Sequence, residues 1–388
     1  MTDLINTLRS AMPNSSALRL VVRLQPAMSD GLVYPPTYEQ GQHIFRPAWV
    51  NGSSRDAVLL DSVQSQANRI ELAILDAHRR GVIQYPDIGI TVKTELGDEH
   101  YSVLELSHRI YDAALRMCTL NGTLFPDSAI GQAVFKARLD RARALFEHAP
   151  VTLVLGGWDS HGGGGPLVAK LPRLVTSEVV GLDAKRVDRG SVKFDPMDIR
   201  KDAGPVYLSS NPTRLFEVDK QKAADPKDKG KRPSEVGLGN VPNFSQRGAV
   251  ITEALQTSVI SFAAARRLRF ETANGSIDRA RDLAGQLATV ALGLYGLLAQ
   301  MEAGYNLRSG CDLLPLHQPR LEIIGQSLQD VSEIAVDAVS AQACLKQALK
   351  DAETLGLAWR SEPVTVVADD RLVTLIERSR RSRSSEDG

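Results

Sequence analysis

Aromatic side chains are scarce in this 388-residue chain: 9 Phe, 3 Trp and 8 Tyr, 5% of the total. A binder of single strands built mainly on stacked rings is disfavoured by that scarcity. Cysteine is rarer still. Cys118, Cys311 and Cys344 lie far apart with no C-x-x-C pair. Neither a disulfide framework nor a cysteine zinc site is supported, and a reducing cytoplasm is the expected compartment. Charge of one sign is missing too, because 46 basic side chains balance 46 acidic ones. A polyanion partner must then be argued from where the charges sit. The most apolar run, residues 287–299, is interrupted by Thr289, Gly293 and Gly296. It falls short of the roughly 20 residues that span a bilayer and reads as a buried core helix, so no membrane partner is expected. Residues 1–10 carry Asp3 and Arg9 with no apolar segment behind them, so no export signal is expected.

At roughly 150 residues per domain, the length allows two or three domains, and 43% apolar content agrees with an ordinary globular core. Leu18, Leu20, Val22 and Leu24 alternate with Arg19, Val21 and Arg23, which predicts a half-buried strand with two arginines on its second face. Residues 34–51 read as a long loop. Residues 57–60 and 151–155 read as strands, and 173–182 as a strand or hairpin arm. Long helical patterns cover 128–148, 276–303 and 326–356, with Ser128 and Ser276 as N-caps of the first two. Strands and helices without a steady β-α-β rhythm favour α+β. Residues 220–232 (KQKAADPKDKGKR) hold six basic side chains against two acidic ones and should form a mobile surface excursion. The basic, Ser-rich tail from Arg378 should be disordered.

Familiar catalytic patterns fail on inspection. Gly162–Gly165 follows a strand but lacks the Lys-Ser/Thr ending of a P-loop, and Pro166 defeats a dinucleotide turn. The run GWDSHG resembles a nucleophile elbow, yet Trp158 stands where a glycine is needed two residues before Ser160, and His161 is poorly placed as its base. The 7 histidines include no H-E-x-x-H and none pairs with a cysteine at metal-ligand spacing. No catalytic group, metal or cofactor is expected.

Three segments could bind a polyanion. In residues 59–81, Asp61 and Gln64 fit a D-x-x-Q capping box, while Val63, Ala67, Ile70, Ile74 and Ala77 share a core-facing stripe. The opposite face of the first two turns carries Ser62, Ser65, Gln66 and Arg69, with Asn68 at its margin. A helix start presents free N–H groups and partial positive charge, so these short donors and one arginine suit phosphate and ribose oxygens. The bland alternative is a solvated face with Arg69 paired to an acid. The second segment, from Gly156, offers Trp158, Ser160, His161, Lys170, Arg173 and Ser177 around a glycine-rich strand end. The third, residues 247–270, carries Arg247 and a cluster of Arg266, Arg267 and Arg269.

Together these segments resemble the backbone subunit of type I-G (formerly I-U) CRISPR effector complexes, a Cas-seven protein of the RAMP superfamily. The resemblance rests on LLDSVQSQANRIE at 59–71, GGWDSH at 156–161, PRLVTSEVVG at 172–181, RGAVITEALQTSVISFAAARRLRF at 247–270 and LRSGCDLLP at 307–315. It implies an α+β fold with an RRM-like (ferredoxin-like) palm, helical insertions and a protruding thumb. On that reading, residues 1–204 form the palm with an inserted helical region at about 61–150. Residues 205–247 form the thumb, 248–377 the remainder of the palm and C-terminal helices, and 378–388 the tail. The implied role is non-catalytic and cytoplasmic: copies polymerise along CRISPR RNA and, with other effector subunits, present the guide for pairing with target DNA. The rivals are an RNA-cleaving backbone subunit using Asp159, an enzyme binding a phosphorylated ligand at Gly162–Gly165, and an RNA-binding scaffold outside CRISPR.

Overall fold

The computed structural model describes residues 4–94, 97–159, 170–193, 195–200, 202–211, 214–239, 241–245 and 248–386. Two compact units emerge. One comprises Met1–Lys93, Gly97–Lys185 and Ala249–Ala368, and the other Thr94–Leu96, Arg186–Gly248 and Asp369–Gly388.

The first unit is built on a nine-stranded sheet. Its strands are β1 (Ala17–Pro26), β2 (Phe45–Val50), β3 (Ser53–Asp61), β4 (Val175–Leu182), β5 (Glu253–Ser261), β6 (Tyr305–Arg308), β7 (Cys311–Pro315), β8 (Arg320–Ile324) and β9 (Val331–Ile334). Side by side they run β6-β7-β1-β5-β4-β3-β2, with β8 joining β1 and carrying β9 on its other edge. Their registers are antiparallel. The predicted alternation in β1 holds, since Leu18, Leu20, Val22 and Leu24 are buried and Arg19, Val21 and Arg23 are less so. Among the helices of this unit are α1 (Leu4–Ala11), α2 (Val63–Arg79), α3 (Arg279–Glu302) and α4 (Ala338–Thr354). Along the chain, β1, α2, β4, β5, α3 and β8 follow one another as β-α-β-β-α-β, with their strands arranged β8-β1-β5-β4. The fold class is α+β.

Helix α3 is long and apolar enough to cross a membrane, but 89% of its most apolar window is buried inside the protein. Small residues make that burial close-packed. A Cβ at Gly296 would stand 2.8 Å from Ile70 of α2, and one at Gly293 would stand 2.8 Å from Val175 of β4. The predicted core helix is therefore observed. A smaller sheet joins Val364–Ala368 in parallel to Ile88–Thr94 and antiparallel to Cys118–Leu120.

Several expectations need correction. The loop expected at 34–51 contains β2, where Pro47 is tolerated because the strand lies at an edge. Residues 151–155 form a short helix rather than a strand, fully buried and ended by Gly156 at φ 79°. A short apolar run carries no periodicity that separates the two. The pattern at 128–148 splits into Ala129–Lys136 and Arg143–His148. Ser128 caps the first as expected, but Arg138 and Arg141 then close a turn and Leu139 accepts a hydrogen bond from the Arg269 amide. Helix α3 is capped by Asp278, whose carboxylate accepts from the Ala280 and Arg281 amides, and not by Ser276. The pattern at 326–356 yields β9 and then α4, because Asp337 caps the helix and ends the strand segment.

In the second unit, Arg189–Lys193 pairs with Val241–Ser245 and Tyr207–Leu208 pairs with Phe216–Glu217. The Lys-rich stretch is patterned: Lys220–Lys222 make a 3-10 turn and Lys231 bridges Val206. This stretch lies within the segment Arg186–Gly248 of the second unit. The tail expected to be disordered lies largely in α5 (Asp370–Glu386). The run 370–386 contains neither Pro nor Gly, and Asp369 accepts hydrogen bonds from the Arg371 and Leu372 amides at its start.

Candidate nucleic-acid interface

Strand β3 ends at Asp61 and α2 starts two residues later, at Val63. Ser62 is the N-cap, taking the Ser65 amide at 3.2 Å. Asp61, expected in that role, is instead fully buried at the strand end. Its carboxylate collects three donors: Gln66 Nε2 at 2.6 Å, Arg69 Nε at 2.9 Å and Arg308 Nη2 at 3.4 Å. Arg69 also donates to the main-chain oxygens of Leu307 at 2.6 Å and Asn306 at 3.3 Å. It thereby satisfies carbonyls of β6 and ties α2 to that strand. The expectation that Arg69 is free for a phosphate is corrected: it is paired to an acid.

Gln66 and Ser177 are corrected too. Both are buried on the helix side of the sheet, where Ser177 Oγ donates to Gln66 Oε1 at 2.8 Å and Gln256 Nε2 reaches the same oxygen at 2.9 Å. Ser258 and the Tyr305 hydroxyl extend the network to β5 and β6. A helical wheel placed Gln66 outward, but the helix start is buried more deeply than a single-face stripe implies. Burial pushes the Cys311 thiol up to about 11, opposed by nearby Arg308. That cysteine is no thiolate near neutrality.

Facing outward are Asn68 and Gln64, with Ser65 half-buried beside them. Arg173 reaches the first turn of α2, donating to the Val63 carbonyl at 3.0 Å. Its guanidinium is pushed below the ordinary arginine range by burial and by Arg109. Arg109 is buried against Glu71 of α2 and donates to the Gly156 carbonyl at 3.2 Å. This contact holds the ribbon of Gly157–Trp158 and Lys170–Leu171, in which Trp158 faces Lys170. Trp158 is 63% exposed, not tucked into the core, and Lys170 is exposed with it. Arg308 was missed by the sequence reading. Its segment carried the resemblance, but nothing local announced that it would meet Asp61. Two guanidiniums thus share one buried carboxylate, leaving net positive charge there, and Arg308 Nη1 is buried without a partner among the described residues.

The remaining expected residues separate from this group. Arg266 donates to the Ser15 carbonyl at 2.8 Å and to Met12, sealing the end of α1, a structural role that corrects its reading as a free binding group. Arg267 is exposed. Ser160, His161, Gly162–Gly165 and Arg247 lie outside the described residues. Asp159 is 3% exposed, and both its oxygens stand 2.9 Å from Arg116 Nη2. Among the described residues, no cluster of acids, histidines and cysteines could hold a metal ion.

The sheet face away from α2 and α3 carries Arg19, Val21 and Arg23 of β1, Leu255, Thr257 and Val259 of β5, and Thr176, Glu178 and Val180 of β4. None is aromatic. Arg19 pairs with Glu322, Arg23 with Glu253 and Arg46 with Glu178. Its charges are paired, Val180 and Leu255 pack into an apolar cluster with Leu59, and the named residues offer no ring on which a base could stack, unlike the sheet of an RRM.

Residues 18–186 match the family model described as CRISPR-associated protein GSU0053. No curated protein matches. The crystal structure of Thermofilum pendens Csc2 is similar at 12% identity and a TM-score of 0.29, covering 98% of this chain and 90% of that one. The matched residues include α2, Trp158 and Arg173, so the resemblance read from the sequence is supported over residues 18–186, where this chain is similar to the CRISPR-associated GSU0053 proteins.

Proposed function

We propose that the protein is a non-catalytic backbone subunit of a type I CRISPR surveillance complex, polymerising along CRISPR RNA and presenting the guide to target DNA beside other effector subunits. The observation that carries this reading is the match of residues 18–186 to a CRISPR-associated family. The arrangement β8-β1-β5-β4 with α2 and α3 between its strands supports a ferredoxin-like palm, and the second unit supplies the thumb. A guide holder must grip sugar and phosphate while leaving base edges free. The exposed donors of α2, with Arg173, Lys170 and Trp158, suit that task better than the ring-free sheet face. The pairing of Asp159 with Arg116 favours a structural carboxylate over a metal-binding one.

The test is purification of the full chain with its genomic neighbours, followed by sequencing of bound nucleic acid. Repeat-spacer RNA of uniform length is the expected result; a complex carrying no nucleic acid overturns the reading. Asn68→Asp with Lys170→Glu should weaken RNA binding and flatten its salt dependence by about one unit of slope per lost phosphate contact. An unchanged slope removes these residues from the interface.

A further inference from the structure

The hairpin of β2 and β3 turns at Asn51 (φ 50°) and Gly52 (φ 78°), the left-handed pair of a tight type I′ turn. Pairing with β4 reaches back along β3 only to Ala57, so the outer part of the hairpin is paired on one side. Trp49 sits on this arm opposite Ser54. It is 76% exposed, and no partner for its indole N–H occurs among the described residues. A ring so placed has few covering neighbours, and its cross-strand partner is too small to shield it.

The surroundings discriminate between partners. Arg46 is paired with Glu178, and Arg55 with Asp183 and Glu253 at 2.9 Å each. Both of these cations on the hairpin are paired, so neither is free to draw a polyanion. A neutral arm carrying an exposed indole fits an apolar protein pocket, where Trp is a characteristic anchor.

The same chain carries such a pocket elsewhere. Helices α2, α3 and α4 line an open groove of ≈ 740 Å³. Leu72, Val82 and Val339 line it while being 52%, 42% and 71% exposed. The charges of its lining balance, Arg69 and Arg80 against Asp76 and Glu302, with Arg80 on Asp76 at 2.8 Å. Gln300 on its wall is 3% exposed and its amide oxygen has no hydrogen-bond partner among the described residues. A turn of that amide offers the oxygen to a donor, and an indole N–H only donates.

We propose that Trp49 of one copy seats in the α2–α3–α4 groove of a second copy. Knob and groove are different surfaces of one chain, so the contact is heterologous and propagates into an open assembly rather than closing as a two-fold dimer. The inference rests on the proposed backbone role and gives that role a protein contact that does not depend on RNA.

Sedimentation velocity of the full chain, with and without repeat-spacer RNA, tests it. The parent should form longer species as concentration rises. Trp49→Ala and Val339→Asp, both at exposed positions, should each keep the parental Tm and lower self-association at least tenfold. Mixing the two variants should restore pairs of copies, because one intact knob and one intact groove remain, and nothing longer. Parental assembly by Trp49→Ala, a parent that stays monomeric under both conditions, or no pairing in the mixture overturns the contact. A loss of affinity in Trp49→Ala for RNA long enough for one copy also overturns it, by making Trp49 a base-stacking residue. Failure of the backbone role is read separately, as absence of bound RNA in the purified complex.

Discussion

Arg69 donates to Asp61 across 2.9 Å, and the same guanidinium holds the carbonyls of Asn306 and Leu307. A side chain with the sequence signature of a phosphate contact is thereby the bolt between the start of α2 and β6. Because Asp61 is fully buried, its charge depends on Arg69 and Arg308 for compensation.

Removing that carboxylate should be costly. Asp61→Ala leaves two guanidiniums and the Gln66 amide without their acceptor and is expected to lower stability by about 3–5 kcal/mol. Arg69→Ala, at a partly exposed site, should lower it by about 1–3 kcal/mol. Urea unfolding midpoints check both. An unaltered midpoint in Arg69→Ala, joined to a reduced salt slope for RNA, would return this residue to the interface.

Acid should weaken the fold through His148. Burial first, and then Arg360, hold its imidazole down at about 4, against roughly 6.5 in the unfolded chain. The unfolded state then binds the proton more readily. The contribution is complete above the ordinary imidazole range and is lost as pH falls from there toward 4. Discounted for partial exposure, it amounts to about 1–3 kcal/mol. His148→Gln should flatten the stability profile between pH 4 and 7, measured by denaturant titration; a profile as steep as the parent's would assign the acid sensitivity elsewhere.

Two glycines should respond differently to alanine. At Gly52 (φ 78°) an added Cβ meets nothing within 4 Å, so only backbone strain of about 1 kcal/mol is expected. At Gly31 (φ 77°) the Cβ would stand 2.6 Å from the Ile251 carbonyl oxygen, adding a clash with backbone. Gly31→Ala should therefore show the larger drop in Tm, and equal drops would contradict the close approach.

Trp158→Ala should weaken guide binding by about 1–3 kcal/mol if its exposed ring stacks on a base, with Trp158→Phe retaining most of the affinity. Fluorescence anisotropy at fixed salt measures this. Equal binding by parent and alanine variant would leave Trp158 outside the interface.

Alternation was enough to read β1 from the sequence, and a run of small and apolar residues was enough to read α3 as core. Both are local patterns, in which each residue's environment follows from its neighbours along the chain. The α+β class and the family resemblance were legible for the same reason. The partners of charged and polar residues were not. Asp61 meets Arg308, and Gln66 meets Ser177 and Gln256, through contacts between segments far apart in sequence. Helical spacing put Gln66 and Arg69 on a polar face, but only packing of α2 against β4 and β6 decided that this face would be used internally. Composition likewise exposed the scarcity of rings without revealing that Trp49 would stand uncovered at a sheet edge. Periodicity specifies which way a side chain points relative to its own element, whereas tertiary structure decides what lies in that direction.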